Sequence, residues 1–277
     1  MRSYAVLGGT GATGSRITKQ LLQEEDVHLN VYARSRQRLE AKIPLLATSS
    51  RVQIFTGSIT NIEILADCLS GVDAVFATVG TNVNEPGCSV AQEVSSSIVA
   101  ALLRLRSQAP RNVSTGAAWT CPTLVFLSST GVNPLIFGKE PFLLRFIVAR
   151  SCSYIYHDLK LAEKYLRGHD WIPLAFVQPG AIVHDQAYGA RLAENEATSR
   201  VSYEDLASAM IMAAEGKVDG SDDTSNRRKW AGKSIGVVSL GGERVVPAIR
   251  NLKYLIPGLV WYFLPFLWHW SKFLGLH

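Results

Sequence analysis

Two groups of residues in this 277-residue chain have the types and spacing for chemistry. The first is Gly8-Gly9-Thr10-Gly11-Ala12-Thr13-Gly14, which satisfies GxxGxxG through Gly8, Gly11 and Gly14, and GxGxxG through Gly9, Gly11 and Gly14. Glycines so spaced permit a tight turn and let the backbone approach a pyrophosphate, whose charge is held by amides at a helix N-terminus. A lone glycine motif is weak evidence; here an apolar run at 4–7 precedes it and an amphipathic stretch follows it, which is the context that gives it meaning. About 20 residues beyond the glycines, an NAD site has an Asp or Glu for the adenosine ribose, whereas a basic residue suits a 2′-phosphate. Arg34 stands at that point, followed by Ser35, Arg36 and Arg38. An acid is missing and a phosphate-binding fork is supplied, so NADP(H) is the expected cofactor.

The second group is Tyr156-His157-Asp158-Leu159-Lys160, in which the tyrosine and lysine are four apart and hence on one face of a helix. With nine tyrosines in the chain the spacing alone says little. Its place in the order says more. It follows an apolar run at 124–127 that ends in Ser128-Ser129-Thr130, and it precedes another at 174–177 that ends in Gln178-Pro179-Gly180.

Elements must hold these residues in place. Short β-rich runs at 4–7, 29–33, 52–56, 74–78, 124–127, 174–177 and 235–239 alternate with helical stretches at 15–24, 62–69, 90–105, 156–167 and 203–215, whose apolar residues recur every three or four positions. That alternation predicts an α/β fold, a Rossmann-type doubly wound parallel sheet with a small C-terminal helical substrate-binding appendage. Residues 1–240 read as one NADP-binding domain that includes the catalytic residues, and 241–277 as a hydrophobic helical segment, a substrate lid or docking tail. Glu204 and Asp205 fall in a first helical turn, where negative charge suits the dipole. Polar stretches at 107–121 and 216–234 read as surface loops.

Composition narrows the field. With 47% apolar and 18% charged residues the chain is globular, not disordered. Its net charge of +5 is spread out, with Arg227-Arg228-Lys229 as the one basic run, so nucleic acid is not an expected partner. Cys68, Cys88, Cys121 and Cys152 form no CxxC pair and are too few for a disulfide scaffold; they read as buried small residues of a reducing, cytoplasmic protein. No secretory signal is expected, because one basic residue precedes a short run that passes into glycines, and Asn112-Val113-Ser114 is read as a chance sequon. Metal-ligand spacings are absent, and His157, His169 and His184 read as ordinary helix or loop residues.

On the GGTGATG loop, the arginine after the second strand, the Ser-Ser-Thr strand tip and the YxDLK helix, the chain resembles the short-chain dehydrogenase/reductase superfamily over about residues 4–240. Within it the chain is most similar to the atypical, NmrA-like branch, in particular to fungal oxidoreductases of aromatic polyketide pathways. The resemblance implies that Tyr156 is the general acid that protonates a developing alkoxide, or the base in reverse. It implies that Lys160 lowers the phenol's pKa and hydrogen-bonds the nicotinamide ribose. It also implies that Ser129 orients the substrate carbonyl, with Ser128 and Thr130 as competitors. Pro179-Gly180 would lie beside the nicotinamide, with the backbone of Ile182 or Val183 on the carboxamide, and Val79-Gly80 against the adenosine half. Where relatives carry Gly-Asp this chain has Gly57-Ser58, so an adenine contact at Ser58 is altered. The 26 residues between Ser129 and Tyr156 are more than short members use, and are apolar at 134–137 and 142–148.

The expected function is therefore an NADP(H)-dependent oxidoreductase that reduces or oxidises a carbonyl or enone of a hydrophobic small molecule in secondary metabolism. Two alternatives stay open: the same pocket used for isomerisation, epimerisation or cyclisation, and a non-catalytic NADP sensor of the NmrA type. Eight aromatic residues crowd positions 251–277, and the run 256–270 holds no Asp, Glu, Lys or Arg. Pro257, Gly258 and Pro265 make it too short and broken to span a bilayer. The first expectation is a substrate wall or lid that faces 134–148 over the nicotinamide; a peripheral membrane contact through 256–270, with Lys253 and Lys272 at its flanks, is the second. A docked helical tail that completes the core is the plain alternative.

Overall fold

The computed structural model describes residues 1–109, 119–217, 228–241 and 249–273. In chain order the elements are β1 (Arg2–Leu7), α1 (Ala12–Leu21), β2 (Val27–Ala33), α2 (Arg36–Lys42), β3 (Val52–Thr56), α3 (Ile62–Leu69), β4 (Ala74–Ala77), α4 (Val90–Gln108), β5 (Thr123–Leu127), α5 (Pro134–Phe137), α6 (Phe142–Ser151), α7 (Ser153–Arg167), β6 (Leu174–Gln178), β7 (Ala181–Val183), β8 (Ala190–Glu194), β9 (Arg200–Ser202), α8 (Tyr203–Glu215), β10 (Ser234–Ser239), α9 (Ile249–Phe263) and α10 (Pro265–Phe273). Residues 110–118 of one expected loop and 218–227 of the other lie outside the described residues.

Eight strands form one sheet in the order β3-β2-β1-β4-β5-β6-β10-β8, parallel except for β8, which runs antiparallel to β10. Both faces of the sheet are covered, which is why its strands read as near-continuous apolar runs. Alternation along β1 shows this: Tyr4 and Val6 join the cluster under α1 and α8, with Ile17, Leu21, Leu206 and Met210, while Ala5 and Leu7 join the opposite cluster under α3, α4 and α7, with Leu65, Ile98 and Leu166. All four β1 side chains are 3% exposed or less, so the central strand is fixed from both sides.

Helix ends explain several boundaries. Ser202 caps α8 by accepting the Asp205 N–H at 3.0 Å, and Gly216 ends it in a left-handed turn at φ 70°. Of the two acids in its first turn, Glu204 pairs with Arg16 of α1 at 2.5 Å, and Asp205 accepts the amides of Tyr188 (3.0 Å) and Gly189 (2.8 Å) ahead of β8. Both acids bind neighbours as well as suiting the dipole.

Three features differ from the sequence expectations. Residues 134–148 are two helices, α5 and α6, rather than an apolar loop; α6 is apolar nearly all round, so no period marks it. The sheet carries an antiparallel edge, because β8 reads Ala-Arg-Leu-Ala-Glu, a composition that favours helix and hides a strand. Cys68 is buried as expected, but Cys88, Cys121 and Cys152 are half-buried; all four are unpaired.

The tail folds as α9 and α10, and α9 packs along α6. Gly258 lets the helices approach: a Cβ there would lie 2.8 Å from the Ser151 carbonyl carbon and closer still to its oxygen. The two apolar stretches expected to face each other across a cleft are thus in direct contact as one layer.

Candidate active site

Six parallel strands bring their C-terminal ends to one edge of the sheet, and a candidate residue follows each. Gly8 follows β1, Arg34 follows β2, Gly57-Ser58 follows β3, Val79-Gly80 lies just beyond β4, Ser128-Ser129 follows β5 and Pro179-Gly180 follows β6. Strand order reverses between β1 and β4, and the crevice at such a switch is where open α/β sheets hold their ligands. Arg34 and Ser129 stand three strand spacings apart, about 14 Å.

The glycine loop is shaped by close approach. Gly8 adopts φ 91°, and the amides of Gly8 and Gly9 both donate to the Tyr32 carbonyl at 3.1 Å. A Cβ on Gly14 would lie 2.7 Å from Thr78 Oγ1 and nearer still to the Gly8 carbonyl oxygen. Gly11 donates to the Gly8 oxygen at 2.8 Å, and Ser15 is the first amide to find a helical acceptor, Gly11 O at 3.1 Å. Among the described residues the amides of Thr10, Ala12, Thr13 and Gly14 have no backbone acceptor. Thr13 is buried and the first turn of α1 holds no acid. Unpaired donors at the positive end of a helix dipole form a cradle for an anion.

Basic side chains border the cradle. The side chains of Arg34 and Arg38 are exposed and, among the described residues, make no hydrogen bond or ion pair, whereas Arg36 is held by Glu40 at 3.2 Å and the Ile54 carbonyl at 3.3 Å. Ser35 caps α2, its hydroxyl accepting the Arg38 N–H at 3.3 Å. Beside β3 the Ser58 carbonyl accepts the Tyr32 hydroxyl at 2.7 Å, and the Ser58 and Thr60 hydroxyls are bonded at 2.8 Å. Val79 is half-buried, and a Cβ on Gly80 would meet nothing within 4 Å, so that flank is open.

At the tip of β5 the three hydroxyl residues separate. Ser128 is buried and donates to Glu163 Oε1 at 2.6 Å; Gln178 donates to the same oxygen at 2.9 Å and accepts from Asn133 at 2.9 Å. Thr130 ties the tips of β5 and β6 by donating its amide to the Pro179 carbonyl at 3.0 Å. Ser129 accepts the Gly131 N–H at 3.2 Å and faces Tyr156. The Tyr156 ring lies against Gly131, where a Cβ would come within 2.6 Å of the phenol oxygen and closer to the ring, and Phe137 meets it edge-on at 6.3 Å.

Burial pushes the Tyr156 phenol above its ordinary pKa; the neighbouring Cys152 thiol adds to the rise and the Ser129 hydroxyl opposes it. Lys160 shares this face of α7 one turn on, but it is exposed, has no hydrogen bond or ion pair among the described residues, and is not among the groups that move the phenol. Tyr156 and Lys160 thus lie one turn apart on α7, as the spacing predicts.

Beyond β6, Gly180 packs so that a Cβ would lie 2.6 Å from the Ser199 carbonyl oxygen. Ala181 donates to that oxygen at 2.8 Å. Backbone groups alternate along a strand, so the Ile182 N–H points away from β9 and Val183 points toward it. Of the two expected carboxamide donors, Ile182 is the one with a free edge. A cleft of about 430 Å³ borders Ser199, lined by Ile136, Pro141 and Ala197 together with the charged Lys139, Glu140 and Glu196.

Residues 8–216 match the NAD(P)H-binding family. The chain belongs to that family. Fungal oxidoreductases are similar along nearly its whole length: nsrR of Aspergillus novofumigatus is 38% identical over 267 residues, covering 96% of this chain and 95% of its own. The oxidoreductase stcQ of Emericella nidulans is 35% identical over 280 residues, covering 99% and 95%. A short-chain dehydrogenase/reductase of Veillonella parvula, solved in complex with NADP, aligns with a TM-score of 0.64 at 21% identity, covering 89% of this chain and 99% of that one. That likeness carries the fold.

Four residues of this NAD(P)H-binding protein escape a reading of its sequence. Asn84 accepts the amides of Tyr154 (2.8 Å) and Ile155 (3.1 Å), and so caps the helix that carries Tyr156 from another segment. Asp158 does the reverse, accepting the amides of Ala91 (2.7 Å) and Gln92 (3.1 Å) at the start of α4. Gly131 makes room for the tyrosine ring. Lys42 reaches from α2 to the glycine loop, its Nζ donating to the Thr10 carbonyl at 2.7 Å, with its pKa held below the ordinary value by burial and by Arg16 and Lys19. Only Lys42 left a local signal: it stands four residues after Arg38, which stands four after Arg34. The other three act across the fold.

Proposed function

We propose that this chain is an NADP(H)-dependent oxidoreductase that reduces a carbonyl or enone of a hydrophobic small molecule, or runs the reverse reaction, in fungal secondary metabolism. The observation that carries the reading is a buried phenol facing a strand-tip hydroxyl, Tyr156 against Ser129, on the same sheet edge as a cradle of unpaired amides. The cradle suits a pyrophosphate. Arg34 and Arg38, whose side chains have no partners among the described residues, suit a further phosphate on the adenosine ribose, which favours NADP(H) over NAD(H).

When bound, the nicotinamide supplies or accepts the hydride. The chain's own residues do the rest. Ser129 donates a hydrogen bond to the substrate oxygen and orients it. Tyr156, kept protonated by burial, gives its proton to that oxygen as negative charge grows there. Lys160, with no competing partner, holds ribose hydroxyls, and the Ile182 N–H takes the carboxamide. Phe137, edge-on to the Tyr156 ring, offers an apolar contact to the substrate.

The test is NADPH consumption with polycyclic ketones and enones. Tyr156→Phe should lose at least about 10²-fold in kcat with dinucleotide binding intact, and normal turnover by that variant sinks the mechanism. Arg34→Ala with Arg38→Ala should cut the preference for NADPH over NADH by about tenfold or more, since a hydrogen bond to a charged group contributes about 1.5–3 kcal/mol. Product formed equally well without NADPH would move the assignment to isomerisation or cyclisation.

A further inference from the structure

The outer face of α6, α9 and α10 is used by nothing described so far, and it is unlike a protein surface facing water. Phe142 is 72% exposed, Phe263 58%, Phe266 55%, Trp270 69% and Phe273 89%. Large apolar groups so grouped mark a contact surface. The helices that carry them form one layer: α6 and α9 pack side by side, α10 packs on α9, and the Arg150 guanidinium lies 3.4 Å from the Phe146 ring and 5.7 Å from the Tyr262 ring across the seam. The inner side of the tail is already satisfied: Gly258 sits against Ser151, Trp268 is 3% exposed and meets Trp261 at 5.4 Å, and the Tyr154 hydroxyl donates to the Trp261 carbonyl at 3.3 Å. What points outward is surplus to the protein's own packing.

Charge identifies the occupant. The sequences of these three helices contain no Asp or Glu, and they carry Arg145, Arg150, Arg250, Lys253 and Lys272. Those five cations equal the net charge of the whole chain, +5, so the remainder of the molecule is neutral on balance. No described helix is long and apolar enough to cross a membrane. A second copy docked symmetrically would bring these cation-rich, acid-free helices against each other, like charge facing like. An apolar face rich in Trp, Tyr and Phe, on helices whose sequences carry lysine and arginine but no acid, matches the interface of an anionic bilayer, where rings settle at headgroup depth and each nearby cation adds about 1 kcal/mol.

We propose that α6, α9 and α10 form a peripheral docking face for an anionic lipid surface. Docking is independent of the proposed reaction, so failure of one leaves the other standing. The experiment is flotation of the full chain with phosphatidylcholine vesicles that contain or lack phosphatidylserine. The wild type should float only with the anionic vesicles and should release at high salt. Phe263→Glu with Phe266→Glu, both at exposed positions, should lower the bound fraction by about tenfold or more, with an unchanged circular dichroism spectrum; Trp270→Glu, a separate variant, should act in the same direction. Wild-type protein that stays in solution overturns the proposal, as does equal flotation of the folded double variant. So does a sedimentation dimer that these substitutions dissolve, which would give the face to a second copy.

Discussion

Tyr156 has one neighbour that no side chain can replace. At Gly131 a Cβ would come within 2.6 Å of the phenol oxygen and closer to the ring, so Gly131→Ala must displace the tyrosine rather than the backbone around it. A shift of about 1 Å in an acid can cost about 10²-fold. Steady-state kinetics should show that loss in kcat, and a dinucleotide titration should show little change, because the glycine loop lies on other strands. The phenol also fixes a pH response. An ordinary tyrosine titrates near 10, and burial disfavours the phenolate, so Tyr156 keeps its proton through and beyond that point. Reduction, which uses the protonated form, should hold its rate from about pH 7 to about pH 10. Oxidation, which uses the phenolate, should climb over the same interval. Rate profiles in both directions check this; a reduction rate that falls well below pH 10 would mean that bound dinucleotide and Lys160 together reverse the effect of burial.

Between elements, α4 and α7 cap each other through Asp158 and Asn84. The aspartate was legible in sequence only as a letter in YxDLK, and its work is structural: Asp158 is 2% exposed and accepts two amides and the Gln92 side chain. Asp158→Ala strips the start of α4 of those acceptors and should cost about 2 kcal/mol, read as a lower denaturant midpoint, with Asp158→Asn intermediate because it keeps one acceptor. That division runs through the molecule. Strands β1 to β6 and the glycine loop are written locally, as apolar runs and as glycines that the turn needs, so spacing located the sheet edge and the loop, while the family resemblance supplied the other candidate residues along it. Helices α5 and α6 were hidden because an all-apolar segment has no period, and β8 because Ala, Leu and Glu favour helix until β10 offers a ladder. Asn84 and Gly131 were invisible for a different reason, since a cap or a gap supplied from a distant segment leaves no mark beside the residue it serves.

For the whole molecule, the question is how the tail is joined to the domain that binds the dinucleotide. Among the described elements α9 packs chiefly on α6 and α10, and it meets the first turn of α7 where the Tyr154 hydroxyl donates to the Trp261 carbonyl. The joint passes through Gly258, where a Cβ would lie 2.8 Å from the Ser151 carbonyl carbon and closer to its oxygen. Gly258→Val cannot be seated without lifting α9, and overpacking of this kind costs about 1–3 kcal/mol. The variant should bind NADPH as the parent does, since Gly258 packs on Ser151 and not on the glycine loop or Arg34. It should melt lower and open α9 to limited proteolysis. Turnover should fall as well, because Ser151 ends α6 two residues before the start of α7, the helix that aims Tyr156. Unchanged melting and proteolysis would show that α9 does not rest on Ser151 in solution. Lower melting with full turnover would separate the tail from catalysis and leave lipid docking as its whole contribution.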